Sequence, residues 1–206
     1  MPSLLIATKN AHKTSEIAAV LGPGWGVTDL CVHPEISSPD ETGDTFAENA
    51  SIKALAASRR FAGWVLADDS GLSVDALGGA PGVFSARYAG EGASDEDNRR
   101  KLIAAMSEEV EPVRRGARFE CVLALAHAGV VRALFHGRVE GHLLREEQGT
   151  GGFGYDSLFV PQGEADSFGV LPAEVKNRMS HRARALAAFR QWLDANASLF
   201  VQGAAR

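Results

Sequence analysis

The sequence predicts an α/β fold, a mixed sheet flanked by helices, and three observations carry that prediction. A short apolar run at residues 3–8 passes through Thr8, Lys9 and Asn10 into a helical repeat with Ile17, Val20 and Leu21. A second apolar run, residues 64–67, follows a second helical segment. Residues 119–128 and 130–139 are strand-like and meet at Gly129, a hairpin signal. Crossover helices join parallel strands and hairpins join antiparallel ones, so both kinds of pairing are expected in one sheet.

The elements follow in order. Thr45 and Glu48 make a capping box that opens a helix through Ile52 and Leu55 to about Arg60. The run at 64–67 is read as a strand that ends at Asp68-Asp69-Ser70-Gly71, with residues 72–74 apolar again. Residues 77–92, rich in Gly and Pro, are expected to form an ordered loop. Ser94 to Asp97 caps a helix carrying Leu102, Ile103 and Met106. A glycine cluster at 149–154 precedes a short strand at 158–160 and a polar loop. Ser180 is the expected N-cap of the last helix, in which Leu186, Phe189 and Leu193 share a face.

At 206 residues, with 45% hydrophobic and 23% charged residues and no internal repeat or linker, the chain is read as a single domain, residues 1–206. A formal net charge of −5 provides no basic field for DNA or RNA, so an anionic ligand must be held by a local cluster, which suits a small polyanion. The apolar stretch near the start is too short for a signal peptide. The most apolar segment, 121–135, is broken by His127 and Arg132 and falls short of the roughly 20 residues of a membrane span. Cys31 and Cys121 both have apolar flanks and are expected to be buried free thiols, which fits a reducing cytoplasm.

Four polar clusters carry the chemistry. Thr8, Lys9, Asn10, Ala11, His12 and Lys13 lie where a strand meets a helix, so free backbone N–H groups, the helix dipole and two lysines would face a phosphate; an ordinary N-cap with solvated lysines uses the same residues. The pair Asp40-Glu41 and the run Asp68-Asp69-Ser70-Gly71 are acidic, and adjacent carboxylates call for a cation or a proton unless they only form a turn. Oxygen ligands of this kind suit Mg²⁺. Residues 149–154 match G-x-G-x-x-G literally but lead into a strand instead of a helix, so a dinucleotide fingerprint is rejected. Glycines around Phe153 allow close backbone approach and a ring able to stack on a base; a tight corner with a core Phe is the other possibility. Lys176, His181 and Arg182 place cationic groups at the start of the last helix, against its dipole, as surface charges or as partners of an anionic ligand. The histidines show no zinc-like spacing, and no G-x-S-x-G elbow is present.

In chain order these clusters resemble the inosine triphosphate pyrophosphatase family, also called the non-canonical purine NTP pyrophosphatases. The matching segments are ATKNAHK, ETGDTFAENA, LADDSGLSVDALGGAPGVFSARYAG, GTGGFGYDSLF, and Lys176 with SHR, which together span almost the whole chain. The resemblance implies an elongated mixed sheet with two lobes and a central active-site cleft, assembled as a homodimer. It implies a Mg²⁺-dependent release of pyrophosphate from dITP, ITP or XTP, clearing deaminated purines. By the same resemblance, residues 8–13 bind the triphosphate, Asp69 is the catalytic carboxylate and a metal ligand, and Ser70 touches substrate. Phe153, Gly154, Tyr155, Asp156, Lys176, His181 and Arg182 hold base and sugar. Two positions depart from the family pattern: Lys9 stands where Gly is common, and Asp40 where a metal-binding Glu is often found, with Glu41 a competing ligand. A pyrophosphatase of modified pyrimidine nucleotides and a non-catalytic nucleotide sensor are the alternative readings.

Overall fold

The computed structural model describes residues 3–109 and 111–197. Six strands form one sheet: β1 Ser3–Ile6, β2 Gly26–Asp29, β3 Trp64–Val74, β4 Gly116–His127, β5 Val130–Leu143 and β6 Phe159–Pro161, in the order β2-β1-β3-β4-β5-β6. Among the described residues five α-helices accompany them: α1 Ala11–Leu21, α2 Phe46–Ser58, α3 Asp95–Ala105, α4 Ala173–Met179 and α5 His181–Ala195. Strand β1 runs parallel to both β2 and β3, pairing Ser3 with Gly26 and Ile6 with Leu66, and helices α1 and α2 supply the crossovers such pairs need. Strands β5 and β6 are antiparallel. The sheet is therefore mixed. Between β4 and β5 the chain reverses over Ala128 and Gly129, both with positive φ (51° and 73°), the two-residue turn whose twist matches a hairpin.

The chain divides into two compact units, the first comprising the described residues up to Asp69, Cys121–Gly137 and the described residues from Arg182 on, the second Ser70–Glu120 and Arg138–His181. In the first unit, the strand period of two sorts side chains cleanly between two cores. Leu4, Ile6, Leu66, Leu123 and Leu125 join Ile17 and Leu21 of α1 and Leu186 and Phe189 of α5. Their neighbours Leu5, Ala7, Val65, Ala67, Val122 and Ala124 turn to the other face and meet Ala50, Ala54 and Ala57 of α2. Small alanines let that helix lie close to the sheet. In the second unit, Leu72 and Val74 pack with Phe119, Val139, Phe159 and Phe168, with Leu102 of α3 and with Met106 just past its end.

Both capping boxes form as expected: Thr45 with Glu48, and Ser94 with Asp97. Three expectations are corrected. Strand β3 does not end at the acid pair but continues through it to Val74. The polar stretch after β6 contains helix α4, whose seven residues are too few to show a helical period. Cys121 is buried, but Cys31 is exposed, because β2 stops at Asp29 and the chain turns outward there with Val32 also exposed.

Candidate active site

Continuity of β3 determines the geometry of the acid pair. Asp68 and Asp69 are adjacent in the chain, so the pleat sends them to opposite faces. Asp68 follows Leu66 toward α1 and α5, and Asp69 follows Val65 and Ala67 toward α2. Each meets its own cation there.

Asp68 is fully buried and accepts from Lys13 Nζ at 2.6 Å, Arg182 Nε at 2.8 Å and the Cys121 thiol at 3.3 Å. Burial alone would disfavour its charge, but the Arg182 guanidinium and the Lys13 ammonium hold its carboxyl well below the usual range. Arg182 also pairs with Glu16, and although burial opposes its charge, Asp68 and Glu16 push its pKa above the ordinary arginine value. The Cys121 thiol is pushed well up by burial and by Asp68, which keeps it protonated and a donor.

Asp69 accepts from Lys53 Nζ at 2.6 Å through Oδ1, while its Oδ2 is buried with no hydrogen-bond partner among the described residues. Burial raises its pKa, and Lys53 only partly offsets the rise. Lys53 is itself buried, yet Asp69 and then Glu41, 3.4 Å away, hold its ammonium above the ordinary value. Lys53 was not singled out in the sequence. The signal for it is a lysine on the stripe of α2 formed by Asn49, Ala50, Ala54 and Ala57, the face laid on the sheet. Of the two candidate metal carboxylates ahead of α2, Glu41 reaches this cluster through Lys53, and Asp40 is exposed.

The loop at residues 8–13 is braced by its own cap. Asn10 Oδ1 accepts from the backbone N–H of His12 at 2.9 Å and of Lys13 at 3.3 Å, and the Asn10 N–H donates to Thr8 Oγ1. Those two first-turn amides are thus taken by the cap, and Lys13 Nζ is already paired with Asp68, which leaves the Lys9 side chain to meet an anion. Lys9, Ala11 and His12 are exposed.

In the second unit, the glycine segment turns at Gly149, Gly152 and Gly154, all with positive φ. At Gly152 a Cβ would lie 2.1 Å from Asp156 Oδ2, so only glycine fits. Asp156 is buried, and its Oδ2 accepts from the Phe153 N–H at 2.8 Å and from Lys176 Nζ at 2.6 Å. The Lys176 ammonium also stands 4.7 Å from the centre of the Phe153 ring, a cation-π contact. Phe153, Asp156 and Lys176 are therefore one cluster, beside a cavity of about 200 Å³ lined by residues 149–154 with Arg99, Glu147 and Ser157. Tyr155 is buried, and its hydroxyl donates to the Ser85 carbonyl. His181 is buried with its ring stacked on Phe119. Ser70 opens the second unit and is part-exposed. The Arg182 guanidinium pairs with two carboxylates of the first unit, Asp68 and Glu16.

The first unit's carboxylates and lysines suit a metal-bound polyphosphate. One buried carboxylate oxygen with no donor among the described residues, near a second carboxylate, would suit Mg²⁺, which binds through one or two carboxylates and takes phosphate oxygens and waters for the rest.

Known proteins match nearly the whole chain. The profile of the Ham1 family matches residues 4–192. A dITP/XTP pyrophosphatase of Halalkalibacterium halodurans is 45% identical over 195 residues, covering 94% of this chain and 100% of that one. A dITP/XTP pyrophosphatase of Bacillus licheniformis is 46% identical over 198 residues, covering 94% and 99%. Among solved structures, a HAM1 protein from Coxiella burnetii superposes with a TM-score of 0.84 at 35% identity, covering 95% of this chain and 100% of that one.

Proposed function

This chain belongs to the Ham1 family, and on that premise we propose that it hydrolyses non-canonical purine nucleoside triphosphates, dITP, ITP and XTP, to the monophosphate and pyrophosphate. The observation that carries the chemistry is the buried Oδ2 of Asp69, which has no donor among the described residues while Lys53 holds its Oδ1.

In this reading Asp69 and Glu41 hold Mg²⁺, with Glu41 preferred to the exposed Asp40 because its carboxylate reaches Lys53. The ion would supply positive charge to the phosphate oxygens. Lys13 and Lys9 bind the triphosphate, Lys13 being aimed by Asp68. Asp69 Oδ2 accepts a proton from the attacking water as its oxygen bonds to the α-phosphorus. The bond from that phosphorus to the bridging oxygen breaks, and the electron pair leaves with pyrophosphate.

Phe153 stacks on the base, and Gly154, Tyr155, Asp156, Lys176, His181 and Ser70 position base and sugar. Arg182 serves through Asp68. Hypoxanthine and xanthine present a carbonyl at the 6-position where adenine presents an amino group. Donors placed there reject adenine by up to about 10⁴-fold, since a buried donor facing a donor stays unpaired. A cytoplasmic homodimer belongs to the same reading and rests on the resemblance; exposed Val130 and Leu134 on β5 give it apolar surface.

The test is to measure pyrophosphate and orthophosphate released from dITP, XTP, dATP, dGTP and dUTP, with Mg²⁺ and with a chelator. Metal-dependent pyrophosphate from dITP and XTP alone is expected. Orthophosphate, a preference for dUTP, or no turnover would contradict the reading.

A further inference from the structure

Gly154 sits at positive φ, a Cβ there would meet nothing within 4 Å, and both of its backbone polar groups are held by side chains. Side chains of α3 take both. Asp95 Oδ2 accepts from the Gly154 N–H at 2.7 Å, and Arg99 Nη1 donates to the Gly154 carbonyl at 2.9 Å. The two residues are four apart on the helix and so share a face. Arg99 reaches further: its Nε donates to Glu147 at 2.7 Å, and the Ser157 hydroxyl donates to the same carboxylate oxygen at 3.0 Å. One guanidinium thus joins the chain before the glycine segment, the peptide within it and, through Glu147, Ser157 beyond it. Helix α3 is a firm anchor for this. Its N-terminus is closed by the Ser94 and Asp97 capping box, Leu102 and Met106 are in the core, and buried Asn98 bonds the backbone of Ala86 and Ala89.

We propose that Arg99 and Asp95 are positioning residues that clamp the Gly154 peptide and so fix the Phe153 ring for the base. This rests on the reading that the glycine segment takes the base. Neither side chain needs to touch the nucleotide. The clamp affects binding of substrate and transition state alike, so KM moves and kcat does not.

Steady-state kinetics with dITP on R99A, R99K, D95A, F153A and the double variant R99A/F153A tests it. R99A and D95A are expected to raise KM about tenfold with kcat held within about twofold. R99K, which keeps one donor for the Gly154 carbonyl, recovers part of the loss. In the F153A background, R99A adds less than about twofold, because its effect runs through the missing ring. If F153A raises KM and R99A does not, or if R99A costs as much without the ring as with it, the clamp is overturned. If F153A itself leaves KM unchanged, the base-holding reading beneath the proposal fails instead.

Discussion

Lys53 Nζ lies 2.6 Å from Asp69 Oδ1, and this contact fixes which oxygen of Asp69 stays available: Oδ2 is buried with no donor among the described residues. The lysine opposes the effect of burial on this carboxylate without covering both of its oxygens. It reaches Asp69 because β3 runs on through the acid pair and turns this carboxylate toward α2.

Replacing that lysine separates charge from space. Lys53→Gln keeps a long polar side chain but leaves the buried Asp69 without its cation. Turnover of dITP is expected to fall about a hundredfold. Initial rates at saturating dITP check this, and a rate within a few-fold of the wild type would show that Asp69 does not depend on Lys53.

Asp68→Asn acts on the other face of the strand. It takes the charge from a fully buried carboxylate that meets both Lys13 and Arg182. A loss of about 3 kcal/mol of stability is expected, the usual cost of breaking a buried pair from one side. Urea unfolding of the two proteins measures it.

Gly152→Ala places a Cβ against Asp156 Oδ2 at a φ of +72°. Strain of about 2 kcal/mol is expected at that site. Displacement of Asp156 would also loosen Lys176 and Phe153, so KM for dITP rises while Asp69 chemistry is untouched. A KM equal to that of the wild type would show that the segment does not contact substrate.

Alkaline pH singles out Tyr155. Burial, reinforced by the nearby Tyr88, raises its pKa above the ordinary 10.0, and its hydroxyl donates to the Ser85 carbonyl. A group whose folded pKa is raised contributes stability that is complete below the unfolded pKa and is lost as pH rises toward the folded value. Unfolding free energy should therefore decline above about pH 10 more steeply for the wild type than for Tyr155→Phe. The Phe variant should be less stable by about 1 kcal/mol at neutral pH, having lost the hydrogen bond. Parallel slopes above pH 10 would contradict the assignment.

Much of this was legible in the sequence where the physics is local. The Thr45 and Ser94 capping boxes and the hairpin turn at Gly129 each depend on residues within a few positions of one another, and each formed. Asp69, Lys13 and the cluster of Phe153, Asp156 and Lys176 were named from motif resemblance, and the structure gives them partners. What escaped depends on distance along the chain. Lys53 gains its meaning from a strand 16 residues on. Arg182 gains its own from Asp68, 114 residues away. The four-residue β2 and seven-residue α4 are too short to show a period. The sequence suggests a strand end at the acid pair because the apolar run stops there and adjacent carboxylates repel one another. The pleat resolves that by giving each a separate face and a separate cation.

The most direct test of the account is Asp69→Asn assayed for both turnover and binding of dITP. The amide keeps the size of the side chain and removes the proton acceptor. Loss of pyrophosphate release, with dITP still raising the melting temperature of the variant, is the predicted result. Near wild-type turnover would show that another group accepts the proton and would overturn the role given to Asp69.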